Sequence, residues 1–255
     1  MTLVAALPMY DWPELRTEVD VQWVRMRDIL RANGYDAPEH LSRRNADLPP
    51  VPGGIRDAAG TLIAPDPATL PPDELDRPTL WLHPDLLIAQ TCWGPMELGL
   101  EPHVHVIGQD DYSGIEGGAG KLYSSALVMR RGEGAAAAAP KDGKASLPLD
   151  LLRNKRLAFN SHDSMSGYLA LQRDLASQHE TLDIFASLVE TGAHRASIAA
   201  VAAGKADAAA IDCKSWALAQ RYDEAASALV VVGWTGRRKG LPFISAFELP
   251  AHLFA

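Results

Sequence analysis

Apolar residues in this chain fall into two kinds of run. Continuous blocks at 3–7, 86–89, 157–159, 206–211 and 229–234 are too short for buried helices and lack the alternation of a half-solvated strand. Such blocks predict strands covered on both faces, as in parallel sheets. Elsewhere the spacing is helical. Trp12, Leu15, Val19, Trp23, Met26 and Leu30 recur at three- and four-residue steps, one apolar face of a helix, so these tryptophans are expected in the core. Asp11 with Glu14 has the form of a capping box at its start. Residues 169–175 and the Ala-rich run before Gly204 read as further helices, Gly204 standing where a helix stops. Strands alternating with helices predict an α/β protein.

The intervening segments carry other signals. Eight prolines from Asn45 to Pro78 inclusive disfavour regular elements and predict a surface insertion or flap and not a domain linker, because the first domain still needs the strand at 86–89. Residues 80–82 read as a short helix before that strand. Residues 104–108 and 125–130 are expected to pair as strands across a Gly-rich loop, 109–120. Residues 132–145, with alanines at 135–139, read as a loop, 147–152 as the start of a helix, and 241–244 as a short extended run after a basic, Gly-rich turn.

Candidate chemistry collects where apolar blocks give way to polar loops and then helices. After the block ending at Phe159 comes Asn160-Ser161-His162-Asp163-Ser164-Met165-Ser166-Gly167-Tyr168. The first amides of a helix have no intrahelical partner and carry partial positive charge, so an oxyanion can be held by the hydroxyls of Ser164 and Ser166 and by the amides through Tyr168, those of Met165 and Gly167 included. A simpler role for either serine is to cap its own helix. A second segment of the same kind, Thr191-Gly192-Ala193-His194-Arg195-Ala196-Ser197, opens the Ala-rich helix, and the block at 206–211 ends at Asp212. Ligands of open α/β sheets bind beyond the carboxyl ends of strands, where Ser164, Ser166 and Asp212 all fall. His194 and Arg195 offer donors or charge, or are ordinary surface groups. Thr91, after the block at 86–89, offers a hydroxyl and amides.

Composition narrows the classes. At 255 residues, 47% hydrophobic and 22% charged, the chain has length for two lobes and material for a substantial core. A net charge of −8 argues against nonspecific nucleic-acid binding but permits an anionic ligand in a locally positive or dipolar site. Cys92 and Cys213 stand apart without a Cys/His cluster, so neither zinc nor a disulfide framework is expected. Cys92 reads as a small buried residue. His103 and His105 alternate but lack a third metal ligand. No Gly-rich dinucleotide fingerprint, P-loop, nucleophile elbow or zinc motif is present, so no cofactor and no catalytic residue are expected. The opening residues do not read as a basic, apolar leader, so the chain is expected in the cytoplasm as it stands, or in the periplasm if a leader has been removed. No apolar run reaches the ~20 residues of a membrane span.

In order and spacing, the run from Asn160 to Tyr168, the run from Thr191 to Ser197 and Ala210-Ile211-Asp212 resemble the phosphate/phosphite/phosphonate-binding proteins of ABC transporters. Leu7-Pro8-Met9-Tyr10, Gln90-Thr91-Cys92, Tyr123-Ser124-Ser125-Ala126-Leu127-Val128 and Gly240-Leu241-Pro242-Phe243 extend the likeness over nearly the whole chain. It implies a two-lobed type II periplasmic-binding-protein fold with a ligand cleft between the lobes. Lobe one is expected from 1–130 with 236–255 returning to it and lobe two from 131–235, with crossings near 127–131 and 234–243 that suit clamshell closure.

The resemblance also implies a small oxyanion ligand, either phosphonate, phosphite or phosphate. Expected contacts are Met9, Tyr10, Gln90 and Thr91 from lobe one and Ser164, Met165, Ser166, Gly167, Tyr168, His194 and Asp212 from lobe two. Near an anion, the Asp212 carboxylate would need a ligand amine or a protonated ligand oxygen; otherwise it is a helix cap. The protein is expected to be a monomer serving a transporter permease or, as a sensor, another partner. The alternative is an enzyme of the same fold using His194 and Asp212 as acid and base.

Overall fold

The first apolar block becomes β1 (Val4–Ala6), buried throughout, in a computed structural model that describes residues 3–250 and Leu253. Two units compose it, the first running to Asp110 and resuming at Leu241, the second spanning Asp111–Gly240. After β1 the chain passes Met9 and Tyr10 into a 3-10 turn, Pro13–Leu15, and then α1 (Arg16–Ala32). Leu15, Val19, Trp23, Met26 and Leu30 are buried as their spacing requires, whereas Trp12 is only half-buried. The capping box expected from Asp11 and Glu14 does not form; neither the turn nor α1 has a side-chain cap. Asp11 instead accepts from Arg43 Nε at 2.6 Å and Nη2 at 3.2 Å. A guanidinium offers a carboxylate two aligned charged donors, which outweighs one backbone amide.

The Pro-rich excursion is mainly irregular, but it holds a small antiparallel hairpin of β2 (Ile55–Arg56) and β3 (Leu62–Ala64). It is anchored through buried Leu48, Ile55 and Ala64. Buried His83 holds its base: Nε2 is 2.9 Å from the Pro49 carbonyl and Nδ1 accepts from the Asp85 amide at 3.1 Å, which puts the ring proton on Nε2. α2 (Arg77–Trp81), capped by the Asp76 side chain, leads into β4 (Leu86–Gln90), parallel to β1 and buried along its length. α3 (Trp93–Pro95), a wide π turn at Met96–Leu100 and a 3-10 turn at Glu101–His103 then lead to β5 (His105–Gln109).

The second unit contains, in chain order, β6 (Leu122–Tyr123), β7 (Ser125–Arg130), α4 (Leu149–Leu152), β8 (Arg156–Phe159), α5 (Ala170–Ala176), β9 (Ser187–Glu190), α6 (His194–Ala202), β10 (Ala208–Asp212), α7 (Cys213–Tyr222), β11 (Leu229–Trp234) and β12 (Arg238–Lys239). Its main sheet has the order β11-β7-β10-β8-β9. β10, β8 and β9 are parallel, and β7 runs antiparallel to β10 and β11. Leu127, Met129, Leu157, Leu171, Leu175, Ala208 and Ala210 meet in the core beneath it. The Ala-rich stretch lies along the open edge of β11: Ala137 N–H donates to the Val231 carbonyl, Trp234 Nε1 to the Ala137 carbonyl, and Ser146 and Trp234 exchange backbone bonds. It thereby covers backbone groups that an edge strand otherwise exposes.

β13 (Pro242–Ser245) completes the first unit's sheet, order β1-β4-β13-β5, antiparallel to both neighbours. Pro242, lacking an amide hydrogen, stands first in the strand, where its loss matters least. The pairing expected between 104–108 and 125–130 is therefore not made. β5, with exposed His105 and Val106, is an edge strand; β7 has its first five residues buried and takes a place between two strands.

The expected division shifts accordingly. Residues 111–130 and 236–240, assigned from sequence to the first lobe, belong to the second unit, and the chain passes between units after Asp110 and Gly240 rather than near 127–131. The cause is β7, whose ladder partners β10 and β11 both lie in the second unit. Positions 251–252 and 254–255 of that expected lobe lie outside the described residues.

Candidate functional site

In the second unit the two polar segments found in the sequence are stitched together by backbone bonds at the end of β8. The Phe159 carbonyl accepts from Thr191 N–H and the Asn160 carbonyl from Gly192 N–H, each at 2.9 Å. Thr191 Oγ1 adds bonds to the Phe159 carbonyl at 3.0 Å and Ser197 Oγ at 2.7 Å. The start of the helix after β8 and the start of α6 are thereby brought side by side.

Ser164 caps the first of these helices: its Oγ accepts from Gly167 N–H at 3.0 Å, so the simpler reading of this serine holds. Its hydroxyl hydrogen still has donating capacity. The first turn, Met165–Leu169, is a π turn, in which the Ser164 carbonyl takes Tyr168 N–H at 3.2 Å and Leu169 N–H at 3.0 Å. Turns of this width recur at functional sites. Ser166, buried, places Oγ 2.9 Å from His194 Nε2. His194 opens α6, whose N-cap, Ala193, makes no side-chain cap bond. A Cβ at position 167 would lie 1.8 Å from Asn160 Oδ1, so any residue larger than Gly167 would have to displace the Asn160 side chain. Tyr168 packs its ring against Phe159 and His162, with centroids 5.0 and 4.8 Å away.

Asp212 ends β10 and caps α7, its Oδ1 accepting from Lys214 N–H at 2.7 Å and Ser215 N–H at 3.0 Å, and its Oδ2 from Ser215 Oγ at 3.2 Å. The capping role weighed for this carboxylate is therefore formed. Burial, with the neighbouring Asp212 charge, pushes the Cys213 thiol up to about 12, so it stays protonated at neutral pH. Arg195 pairs with Asp223 at 3.2 Å, the surface ion pair that was its plainer reading.

The remaining expected contacts belong to the first unit. Met9 packs on the core beside Val4, Leu80 and Met96, and Tyr10 is buried. Gln90, last in β4, donates through Nε2 to Asp110 Oδ2 at 2.8 Å and receives Trp81 Nε1 on its carbonyl at 2.9 Å. Thr91 N–H is taken by the Pro242 carbonyl at 3.0 Å, while its fully buried Oγ1 has no partner. Reasoning from sequence did not single out Asp110, the partner of Gln90, which nothing local distinguishes from the adjacent Asp111, nor Ser125 and Thr235, which only the sheet brings together behind Ser166. Among the described residues no group of three or more His, Cys, Asp or Glu side chains could hold a metal ion.

Residues 104–254 match the model of the family described as ABC transporter, phosphonate, periplasmic substrate-binding protein. No curated protein matches the chain. Among solved structures, PhnD1 of Prochlorococcus marinus, determined in complex with methylphosphonate, is similar with a TM-score of 0.61 at 18% identity, over 99% of this chain and 77% of that one. A binding protein component of an ABC phosphonate transporter from Pseudomonas aeruginosa gives a TM-score of 0.59 at 15% identity, over 98% of this chain and 70% of that one. At such identities these likenesses concern the fold, which is the two-lobed type II periplasmic-binding-protein fold.

Proposed function

Because the chain belongs to the periplasmic substrate-binding proteins of phosphonate ABC transporters, and so binds a small ligand as a transporter's solute-binding component, we propose that its ligand is a tetrahedral oxyanion, either phosphonate, phosphite or phosphate. The observation that carries this reading is the Ser166–His194 pair at 2.9 Å, set where two helix starts lie side by side. Hydroxyls and amides in that arrangement match an anion's acceptor oxygens by geometry. Hydrogen bonds to a charged group contribute about 1.5–3 kcal/mol each, so a few of them supply the ~8 kcal/mol of micromolar affinity. Ser164, Met165, Ser166, Gly167, Tyr168 and His194 form this cradle, with Asp212 beside it as the cap of α7. In the first unit, taken by itself, Met9, Tyr10, Gln90 and Thr91 are the proposed candidate contacts, and the unmatched Thr91 hydroxyl is the strongest support among them.

The reading is of binding without turnover. Asp212 spends both carboxylate oxygens on backbone and hydroxyl donors and Cys213 remains a thiol, so neither is set up as a base or nucleophile. The protein acts as a monomer that hands its ligand to a transporter permease.

A thermal-denaturation panel with methylphosphonate, 2-aminoethylphosphonate, phosphite, phosphate and sulfate tests the assignment. A ligand that binds only the folded state stabilises it by RT ln(1 + [L]/Kd), about 2.7 kcal/mol at a hundredfold excess over Kd. At least one of the phosphorus oxyanions is expected to raise the melting temperature, with the compound recovered unchanged. Stabilisation by none of them, or by sulfate alone, would overturn the ligand class; product accumulation would overturn binding without turnover.

A further inference from the structure

Ser125, the first residue of β7, is 1% exposed, and its polar groups all lead towards or away from the cradle. Its N–H donates to Thr235 Oγ1 at 2.8 Å and its carbonyl accepts from Thr235 N–H at 3.0 Å. Its Oγ donates to the Ser166 carbonyl at 2.8 Å. Ser166 Oγ in turn meets His194 Nε2. Thr235, Ser125, Ser166 and His194 thus form one hydrogen-bonded line from the strand ends of the sheet to the start of α6.

The geometry points to Ser125 as a positioning residue for anion binding, a role that rests on the function proposed above. The problem it solves is electrostatic. Ser166 lies in a wide π turn, and a carbonyl oxygen turned towards a bound anion repels it, whereas the amides and hydroxyl of the same turn attract it. A buried hydroxyl donor behind the turn holds that carbonyl on the sheet side. Thr235, bonded to both backbone groups of Ser125, fixes that donor in place. No ligand contact by Ser125 is needed.

The test is calorimetric titration of the best oxyanion from the thermal panel into the parent protein and into Ser125→Ala, Ser125→Thr, Thr235→Val and Ser124→Ala, with a melting curve for each. Ser124 is the control: it is buried beside Ser125, but its Oγ donates to the Gly117 carbonyl and not to the cradle. Ser125→Ala is expected to lose at least tenfold in affinity, Thr235→Val to lose affinity in the same direction, and Ser125→Thr, which keeps the hydroxyl, to recover most of it. Ser124→Ala should bind like the parent. Equal affinities for Ser125→Ala and the parent, or equal losses for Ser124→Ala and Ser125→Ala, overturn the positioning role while leaving the ligand class standing. If Ser125→Ala does not fold, unchanged binding by Thr235→Val overturns it instead. A parent protein that binds no phosphorus oxyanion removes both proposals together.

Discussion

At the scale of single residues, two serines two positions apart do different work. Ser164 Oγ is committed to its own helix through Gly167 N–H, whereas Ser166 Oγ faces His194. Ser164→Ala is therefore expected to cost about 1 kcal/mol of stability as a lost cap, as well as weakening anion binding. Ser166→Ala should show its larger effect in affinity, about 1–3 kcal/mol, by removing a donor to a charged group. Melting curves and titration calorimetry on both variants check this; a Ser166→Ala protein that loses stability but binds like the parent would place the cradle elsewhere. Both residues were legible in the sequence as short hydroxyls at a strand-to-helix turn. Which of them was a cap was not, because the choice depends on backbone angles set only when the π turn forms.

At the scale of elements, β7, β8, β10 and α6 are tied at the ends remote from the cradle by Asp207. Its carboxylate accepts from Arg156 N–H, Nε and Nη2 and from Arg130 Nη2, all at 2.8–2.9 Å, while Arg130 also reaches the Val201 and Ala206 carbonyls. Arg156 foremost, then Arg130, holds this carboxyl well below the usual carboxylate range. A depressed folded-state value means that the stabilisation is fully present above the unfolded value of about 3.9 and is lost as pH falls below it. Asp207→Asn is accordingly expected to cost roughly 2–4 kcal/mol at pH 7, with the gap from the parent shrinking below about pH 4. Urea denaturation of parent and variant from pH 7 to 3 measures it; a pH-independent gap would assign the loss to packing. The sequence displayed Asp207 only as a lone charge within the otherwise apolar block at 206–211. Its partners lie 51 and 77 positions away, beyond any local pattern.

At the scale of the whole molecule, the two units differ in how the chain builds them. The second is one continuous stretch, Asp111–Gly240, with a five-stranded sheet and its own core. The first needs β13, returned from the far end of the chain, between β4 and β5. Residues 111–240 expressed alone are therefore expected to fold and to melt cooperatively, whereas residues 1–110 alone should not, because buried β4 would be left with an unpaired edge and β5 would lose its partner strand. Circular dichroism and amide-proton dispersion of the two fragments check this.

What the sequence determined by itself was local in origin: continuous apolar blocks for the buried strands, helical spacing from Leu15 to Leu30, the stop at Gly204, and the short polar residues of 160–168 and 191–197 at strand-to-helix turns. Each follows from side-chain period and backbone chemistry within a dozen residues, and motif order extended it to a family. Tertiary structure alone decided which strands pair. β7, expected beside β5, lies between β10 and β11, because the extended backbone of a strand satisfies its hydrogen bonds with whichever partner covers its apolar faces, however distant in the chain. The same physics moved Asp11 from a helix cap to Arg43, and Asp212 from an open question to a cap. It also brought Ser125 and Thr235, neither of them a site candidate in the sequence, to the back of Ser166, since a buried polar group must find its partner in space and the sequence does not encode that distance.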